Sequence, residues 1–252
     1  MNIDRRDNIR EYIRARGEVQ FKELEQLYPS VSSMTIRRDL AYLEGKGHII
    51  KTRGGAKAIS QVSMSIEDIY SARATANMDA KVKIARKAIH FLETGRSIFI
   101  DSGTTTMCLA KLIPDEYLSI ITSGPNIALE IAKNANTSVT IIGGQLNRNN
   151  LTISGANSLD FIKGINIDIA FLATSGFSLK SGFTVGNFNE CELKRAVIKK
   201  ARKVILLMDG SKLDKNMPYT FAALKDIDIF VTDTPLPDNV IKVAEKGSVE
   251  IY

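Results

Sequence analysis

The sequence predicts an α/β protein with two domains: a small N-terminal domain of three helices and a β-hairpin, and a larger domain built on a mostly parallel sheet. Three observations support this fold class. Short helical patterns and a Gly-Gly pair fill the first 58 residues, and a polar, Ser/Ala-rich stretch follows them. From residue 79, apolar strands alternate with helices, which is typical of a parallel sheet with helices on both faces. We therefore place the domains at 1–58 and 79–252, with a linker at 59–78.

The first part of the small domain predicts two short helices. An amphipathic helix ends at Gly17, a brief extended stretch covers 19–21, and a second helix over 22–28 ends before Pro29. The apolar side chains expected to face the core are those of Ile9, Ile13, Leu24 and Leu27.

A third helix follows, with Ser32 or Ser33 as its N-cap. Its buried stripe is formed by Ile36, Leu40 and Leu43 at helical spacing. Its N-terminal half offers hydroxyl and guanidinium groups, which suit base edges and phosphates in the major groove of double-stranded DNA. The DNA-contacting residues predicted on this helix are Ser33, Met34, Thr35, Arg37 and Arg38.

Residues 48–59, HIIKTRGGAKAI, predict a β-hairpin with Arg53 at its tip, near Lys51 and Lys57. A basic hairpin after such a helix would form the wing of a winged helix-turn-helix, and we add Arg53 to the predicted DNA contacts. The alternative to a DNA-binding domain is a three-helix domain that docks to another protein.

Charge and composition agree with a nucleic-acid partner. Residues 1–57 carry 12 Lys and Arg against 8 Asp and Glu, which is +4 of the net charge of +6. The two cysteines and two histidines have no metal-ligand spacing, so we expect no metal site and no cofactor. The sequence has neither an apolar signal segment nor a run long enough for a membrane span, so we expect a soluble, cytoplasmic protein without membrane contact.

The large domain alternates strands and helices, and a short helix near 66–72 is expected before it. Strands are predicted at 96–101, 117–122, 138–144, 166–173, 203–209 and 227–233. Helices are predicted at 79–92, 107–113, 126–133 and 190–201. Ligands of such sheets bind beyond the carboxyl ends of the strands, so polar residues that follow strands are the candidate site.

The strongest candidate follows the first strand, where one glycine and four hydroxyl residues exceed the needs of a capped turn and favour a phosphate. It comprises Asp101, Ser102, Gly103, Thr104, Thr105 and Thr106. Asp209 and Lys212 follow a later strand and could hold a sugar phosphate, or they could be surface charges on a turn. Ser123 and the pair Gly143-Gly144 also follow strands, but ordinary turns explain them equally well. Glu190 and Lys194 could face this cleft or form an exposed i,i+4 pair.

These residues carry a resemblance to a known family. The string Thr35–Leu40 (TIRRDL) before Gly54–Ala56 resembles the winged helix-turn-helix of the DeoR family of bacterial transcription regulators, which often have His where Arg53 stands. The strings DSGTTT, IIGG, IDIAFLATSG, MDGSK and DIDIFVTD resemble the DeoR-type sensor domain, so the resemblance covers nearly the whole chain.

The resemblance implies a sensor fold similar to sugar-phosphate isomerases and an effector that is a phosphorylated sugar or related metabolite. It places the phosphate at 102–106, with Glu190, Asp209 and Lys212 lining the rest of the pocket. The family usually has Asn near Ser123, so the resemblance does not define the contacts to the sugar ring.

The predicted function is a sequence-specific regulator, a repressor of a carbohydrate-utilisation operon, and not an enzyme. A homo-oligomer, either dimer or tetramer, is expected because one small DNA-binding module seldom supplies enough specificity. The alternative is an isomerase-like enzyme acting on a sugar phosphate. The predicted cleft contains no histidine and no evident carboxylate dyad, and such an enzyme needs no DNA-binding module, so the regulator is favoured.

Overall fold

The computed structural model of the chain describes residues 2–45, 48–52, 54–58 and 70–252. Its contacts divide the chain into an N-terminal unit, 1–66, and a C-terminal unit, 67–252. The helices of the N-terminal unit are α1 (Asn2–Arg16), α2 (Phe21–Leu27) and α3 (Ser33–Gly45). Its strands are β1 (Glu18–Gln20), β2 (Ile49–Thr52) and β3 (Gly55–Ala58).

One apolar core holds the N-terminal unit together. As predicted, Ile9, Ile13 and Leu24 are buried, and so is the α3 stripe of Ile36, Leu40 and Leu43. The prediction for Leu27 is wrong, because this side chain is 44% exposed. Instead, Phe21, Tyr28 and Val31 pack against the core beside Leu24. Phe21, predicted as extended, begins α2.

The predicted hairpin is present and forms a three-stranded antiparallel sheet in the order β1-β3-β2. Gly55 is required where β3 pairs with β1, because a Cβ atom at this position would lie 2.0 Å from the carbonyl oxygen of Val19. The backbone of Phe21 donates to the carbonyl of Gly54 at 2.7 Å, which fixes the start of α2 against the hairpin.

The C-terminal unit alternates helices and strands. Its helices are α4 (Tyr70–Thr75), α5 (Met78–Ala88), α6 (Thr104–Ala110), α7 (Pro125–Ile131), α8 (Ala156–Lys163), α9 (Phe188–Lys200) and α10 (Asp238–Lys246), with 3-10 turns at Ile89–Phe91, Gly210–Lys212 and Leu224–Asp226. Its strands are β4 (Ser97–Ile100), β5 (Ser119–Thr122), β6 (Ser138–Ile141), β7 (Gln145–Asn147), β8 (Thr152–Ser154), β9 (Ile167–Ala173), β10 (Gly176–Ser178), β11 (Gly182–Val185), β12 (Ala201–Met208), β13 (Tyr219–Ala222), β14 (Ile229–Thr232) and β15 (Glu250–Ile251).

Seven strands form a parallel sheet in the order β15-β14-β12-β9-β4-β5-β6, which confirms the predicted sheet type. Successive side chains of a strand point to opposite faces, so each strand supplies two cores. Ile98 and Ile100 of β4 join the core beneath α5, α6 and α7. Phe99, between them, joins the core beneath α8, α9 and α10.

The sequence patterns missed several short elements. The antiparallel pair β7-β8, the antiparallel sheet β10-β11-β13, and helices α8 and α10 lie in segments for which no element was predicted. The short helix expected near 66–72 is α4 at Tyr70–Thr75, and residues 59–69 of the predicted linker lie outside the described part of the chain. No helix among the described residues is long and apolar enough to cross a membrane.

Candidate functional site

The N-terminal half of α3 presents most of the predicted DNA-contacting side chains to solvent. Met34 is 63% exposed, and Ser33, Arg37 and Arg38 are also exposed, whereas Thr35 is half-buried. The backbone N–H of Thr35 donates to Ser32 Oγ at 3.3 Å, so Ser32 caps the helix. The helix therefore offers one face for recognition while its opposite face is buried in the core.

Two of these side chains are also held by neighbours on α2. The guanidinium of Arg37 lies 4.4 Å from the centre of the Phe21 ring, and Ser33 Oγ donates to Glu25 Oε1 at 2.5 Å. These contacts restrict the directions in which Arg37 and Ser33 can point.

Asp39 anchors α3 from within. The side chain is 1% exposed and accepts from Arg5 Nε at 2.8 Å and from Arg6 Nε at 2.7 Å, one on each carboxylate oxygen. Arg6 also packs over the ring of Tyr42 at 4.1 Å. Asp39 of the TIRRDL string thus ties α3 to α1 through two ion pairs, a role that was not predicted.

The wing carries basic side chains that are paired with acids. Lys51 Nζ lies 3.2 Å from Glu44, and Lys57 Nζ lies 3.1 Å from Glu18. The backbone N–H of Lys51 donates to Glu44, and this bond is the main reason that the pKa of Glu44 is lowered. Arg37 and Lys51 line the groove between α3 and the hairpin. Arg53, predicted to contact DNA, lies outside the described residues.

In the C-terminal unit, a polar cleft opens at the carboxyl ends of the three central strands β4, β9 and β12. Lining residues follow each of these strands: Asp101 and Gly103 after β4, Thr174 and Ser175 after β9, and Asp209 and Lys212 after β12. Helices α4, α5, α6 and α9 supply other lining side chains. The residues that line it are Arg73, Lys81, Asp101, Gly103, Thr104, Thr105, Ala173, Thr174, Ser175, Glu190, Lys194, Asp209 and Lys212.

The floor of the cleft is a buried ion cluster centred on Lys194. Its ammonium donates to Asp101 Oδ2 and to the carbonyl of Ala173 at 2.9 Å, and it lies 3.4 Å from Glu190 Oε1. Asp101 Oδ2 also accepts from the backbone N–H of Ala173 at 3.1 Å, while Asn150 donates to Glu190 at 2.6 Å. The ends of β4 and β9 are therefore tied to α9 by charged hydrogen bonds in a site shielded from water.

Lys81 forms a second buried cationic position. It is 3% exposed and donates to the carbonyl oxygens of Arg73 and Ala76, the latter at 2.6 Å. Burial lowers the pKa of Lys81, and the carboxylate of Asp209 opposes that change. Asp209 also accepts from the Asn77 amide at 3.2 Å.

Seven of the twelve predicted effector-binding residues line this cleft: Asp101, Gly103, Thr104, Thr105, Glu190, Asp209 and Lys212. Glu190 and Lys194 are both buried and line the cleft, so they do not form an exposed i,i+4 pair on the surface.

The other five predicted residues lie outside the lining. Ser102 Oγ bonds Thr152 Oγ1, and Thr106 Oγ1 donates to the carbonyl oxygens of Asp101 and Gly103 at 2.7 and 2.8 Å. The Ser123 hydroxyl is buried without a hydrogen-bond partner among the described residues. The Gly143-Gly144 turn packs on α8, where a Cβ atom at Gly144 would lie 2.4 Å from Ser158 Oγ and the Gly143 carbonyl accepts from that hydroxyl at 2.6 Å.

Several lining residues were not predicted: Arg73, Lys81, Thr174 and Ser175. A signal existed for Lys81, which shares a helical face with Ile84, Ala85 and Ala88 and is therefore a charge in an apolar stripe. Arg73 lies on a six-residue helix, too short for a pattern to show which way it points. Among the described residues, no group of three His, Cys, Asp or Glu side chains could hold a metal ion.

Comparisons with known proteins match both units. Residues 5–62 match the family model of the DeoR-like helix-turn-helix domain, and residues 76–234 match that of the DeoR C-terminal sensor domain. The HTH-type transcriptional regulator GlpR of Haloferax volcanii is 35% identical over 87% of this chain and 86% of its own length. IolR of Bacillus subtilis, also an HTH-type transcriptional regulator, is 32% identical over 100% and 99% of the two chains. The glycerol-3-phosphate regulon repressor of Escherichia coli is 30% identical over 98% and 97%.

Solved structures give more distant matches. Ribose 5-phosphate isomerase A of Methanocaldococcus jannaschii aligns with a TM-score of 0.42 and 16% identity over 56% of each chain. The beta subunit of eIF2B from Chaetomium thermophilum aligns with a TM-score of 0.47 and 12% identity over 67% of this chain and 53% of its own. The aligned part thus spans about half of those solved chains.

Proposed function

Because this chain belongs to the DeoR family of transcriptional regulators, we propose that it represses a carbohydrate-utilisation operon and that a phosphorylated sugar relieves the repression. The N-terminal unit binds operator DNA through α3 and the wing. The phosphorylated sugar binds in the polar cleft of the C-terminal unit and lowers the affinity for the operator.

The observation that carries the proposal is the charge of the cleft. Four cationic side chains face three carboxylates there, namely Arg73, Lys81, Lys194 and Lys212 against Asp101, Glu190 and Asp209. An excess of cations in a partly shielded site favours an anion such as a phosphate. The carboxylates and the hydroxyls of Thr104, Thr105 and Ser175 are suited to the hydroxyl groups of a sugar.

The exposed face of α3 supports the DNA-binding half of the proposal. Arg37 and Arg38 can hold guanine bidentately or grip phosphates, and the Ser33 and Met34 side chains beside them can contact base edges. Arg53 of the wing, as predicted from the sequence, would contact the backbone or the minor groove. We propose that a dimer or tetramer aligns two such units with paired half-sites.

The test is a fluorescence-anisotropy titration of the full chain against its own upstream DNA at two salt concentrations. The effectors to be added are inorganic phosphate, glycerol 3-phosphate, glucose 6-phosphate, fructose 1-phosphate and glucosamine 6-phosphate. We expect tight binding that weakens steeply with salt, because phosphate contacts release counterions. At least one of the sugar phosphates should weaken the complex further.

Random DNA of the same length is the control for specificity, and the unphosphorylated sugars are the control for the phosphate. Equal affinity for random and upstream DNA would contradict the operator proposal. Conversion of a sugar phosphate to an isomer, without any DNA binding, would favour the enzyme alternative.

A further inference from the structure

One acidic side chain of the N-terminal unit differs from the others in its contacts. Glu25 lies on α2, is half-buried, and forms no ion pair with residues 2–45, 48–52 or 54–58. A carboxylate that no cation neutralises repels phosphates, so its place beside a DNA-binding helix is informative. The other acids of these ranges whose side chains the structure describes all pair with Lys or Arg: Asp7, Glu11, Glu18, Glu23, Asp39 and Glu44.

Glu25 is held instead by the first residue of α3. Ser33 Oγ donates to Glu25 Oε1 at 2.5 Å, and both side chains are at least partly exposed. A serine hydroxyl has one proton, so Ser33 Oγ can only accept further hydrogen bonds while that proton points at the carboxylate. The carboxylate also only accepts. This end of α3 therefore presents acceptors without donors, whereas Arg37 and Arg38 present donors without acceptors.

The base edges of the major groove differ in how well they match a pair of acceptors. Guanine presents two acceptors there, and thymine presents one acceptor and a methyl group. Adenine presents a donor beside an acceptor. Cytosine presents the N4 amino donor alone, and a carboxylate is a side-chain group that accepts from it. Cytosine is therefore the base that best fits the beginning of α3.

We propose that Glu25, held by Ser33, selects a cytosine in each half-site of the operator. This inference rests on the proposed function and names one base that the recognition helix prefers. The carboxylate gains a hydrogen bond from cytosine and is repelled by the acceptors of guanine and thymine. The same repulsion acts on phosphates, so Glu25 lowers the affinity for DNA in general while increasing the difference between correct and incorrect sequences.

A purely structural role for Glu25 makes a different prediction. A carboxylate near the N-terminus of α3 also stabilises this helix through the helix macrodipole. If that were its whole role, Glu25→Gln would lower the unfolding midpoint slightly and leave every base preference unchanged. Base preference is therefore the readout that separates recognition from stabilisation.

The experiment selects binding sites from a library of randomised DNA duplexes with the full chain and its variants. Anisotropy titrations then compare the enriched site with versions in which single base pairs are replaced. Glu25→Gln keeps the size of the side chain but removes its charge, and Ser33→Ala removes the donor that holds it. Glu11→Gln is the matched control, because it makes the same charge change on α1, where Glu11 pairs with Arg10 and Arg14. Thermal unfolding verifies that each variant retains its fold.

The unchanged protein should prefer cytosine at one position of each half-site by about 5- to 30-fold. Glu25→Gln should replace this preference by one for adenine, because an amide matches the neighbouring donor and acceptor of that base. The variant should also bind random DNA about two- to fivefold more tightly, since a charge that repels phosphates is gone. Ser33→Ala should reduce the cytosine preference about threefold, and Glu11→Gln should leave all base preferences unchanged.

Three results would overturn the inference while leaving the proposed function intact. The first is an unchanged cytosine preference in Glu25→Gln, and the second is an unchanged preference in Ser33→Ala. The third is an equal loss of the preference in Glu11→Gln. If Glu25→Gln does not retain its fold, Ser33→Ala decides the question alone. If the unchanged protein enriches no sequence from the library, the operator proposal fails and the inference fails with it.

Discussion

Replacement of Asp39 by alanine should destabilise the N-terminal unit and thereby weaken DNA binding, although Asp39 is buried away from the exposed face of α3. The carboxylate accepts two charged hydrogen bonds, at 2.8 Å from Arg5 and at 2.7 Å from Arg6. Each such bond contributes about 1.5–3 kcal/mol, which gives an upper range of about 3–6 kcal/mol.

Part of this free energy is recovered in the variant. The Arg5 and Arg6 side chains are 19% and 29% exposed, so water can solvate the guanidiniums after the carboxylate is removed. We therefore expect Asp39→Ala to lower the free energy of unfolding of the N-terminal unit by about 2–4 kcal/mol. A domain of some 60 residues has a total stability of about 3–9 kcal/mol, so the variant should lose a large share of the stability of this unit and open more often.

The assay is peptide-resolved hydrogen exchange of the full chain, which separates the opening of the N-terminal unit from that of the C-terminal unit. Asp7→Ala is the matched control, because Asp7 is 50% exposed and its ion pair with Arg10 at 3.1 Å lies on the surface of α1. Asp39→Ala should speed exchange throughout the core of the N-terminal unit and leave the parallel sheet unchanged. Protection equal to that of Asp7→Ala would refute the reasoning.

Three further predictions concern recognition, sensing and packing. Arg38→Ala should weaken operator binding by about 1–3 kcal/mol if the guanidinium contacts a base. If the guanidinium contacts only phosphate, the affinities for operator and random DNA, measured by anisotropy, should fall by the same factor. Lys212→Ala should leave operator binding intact but abolish the response to the effector, and loss of DNA binding would contradict the separation of the two roles. Gly55→Ala should lower the unfolding midpoint because its Cβ atom would lie 2.0 Å from the Val19 carbonyl oxygen, whereas Gly54→Ala, with no atom within 4 Å of its Cβ, should change it little.

The sequence was informative where a local pattern determines a structure. The apolar stripe of α3 and the Gly-Gly hairpin predicted their elements because helical spacing and turn chemistry act over a few residues. The parallel sheet followed from alternation, since strands separated by helices have few other ways to bury both faces. Leu27 was misjudged because burial near a helix end depends on which neighbours reach the core, and here Phe21, Tyr28 and Val31 do so.

The candidate site was predictable only in part. Residues directly after strands, such as Asp101 and Asp209, could be placed near the cleft because parallel strands end at one edge. The position of Arg73 could not be predicted in this way, because Arg73 does not follow a strand and its six-residue helix is too short to show which way the side chain points. A further rule would have identified Lys81 and would have favoured the cleft-facing alternative for Lys194: a charge within an apolar helical stripe faces the core, and a buried charge needs partners.

The hydrogen bonds of Asn77 and Lys81 tie the residues just before α5 to the rim of the cleft, at Asp209, Ser211 and the carbonyl of Ala76. Under the proposed function, a ligand in the cleft can change operator affinity only by as much as such contacts differ between the free and the bound protein, and a few bonds of this kind amount to about 1–3 kcal/mol. That range corresponds to a change in affinity of about 5- to 150-fold, and linkage requires operator DNA to alter effector affinity by the same factor. A promoter governed in this way would respond in a graded manner as metabolite levels rise, with some residual occupancy by the regulator even at saturation.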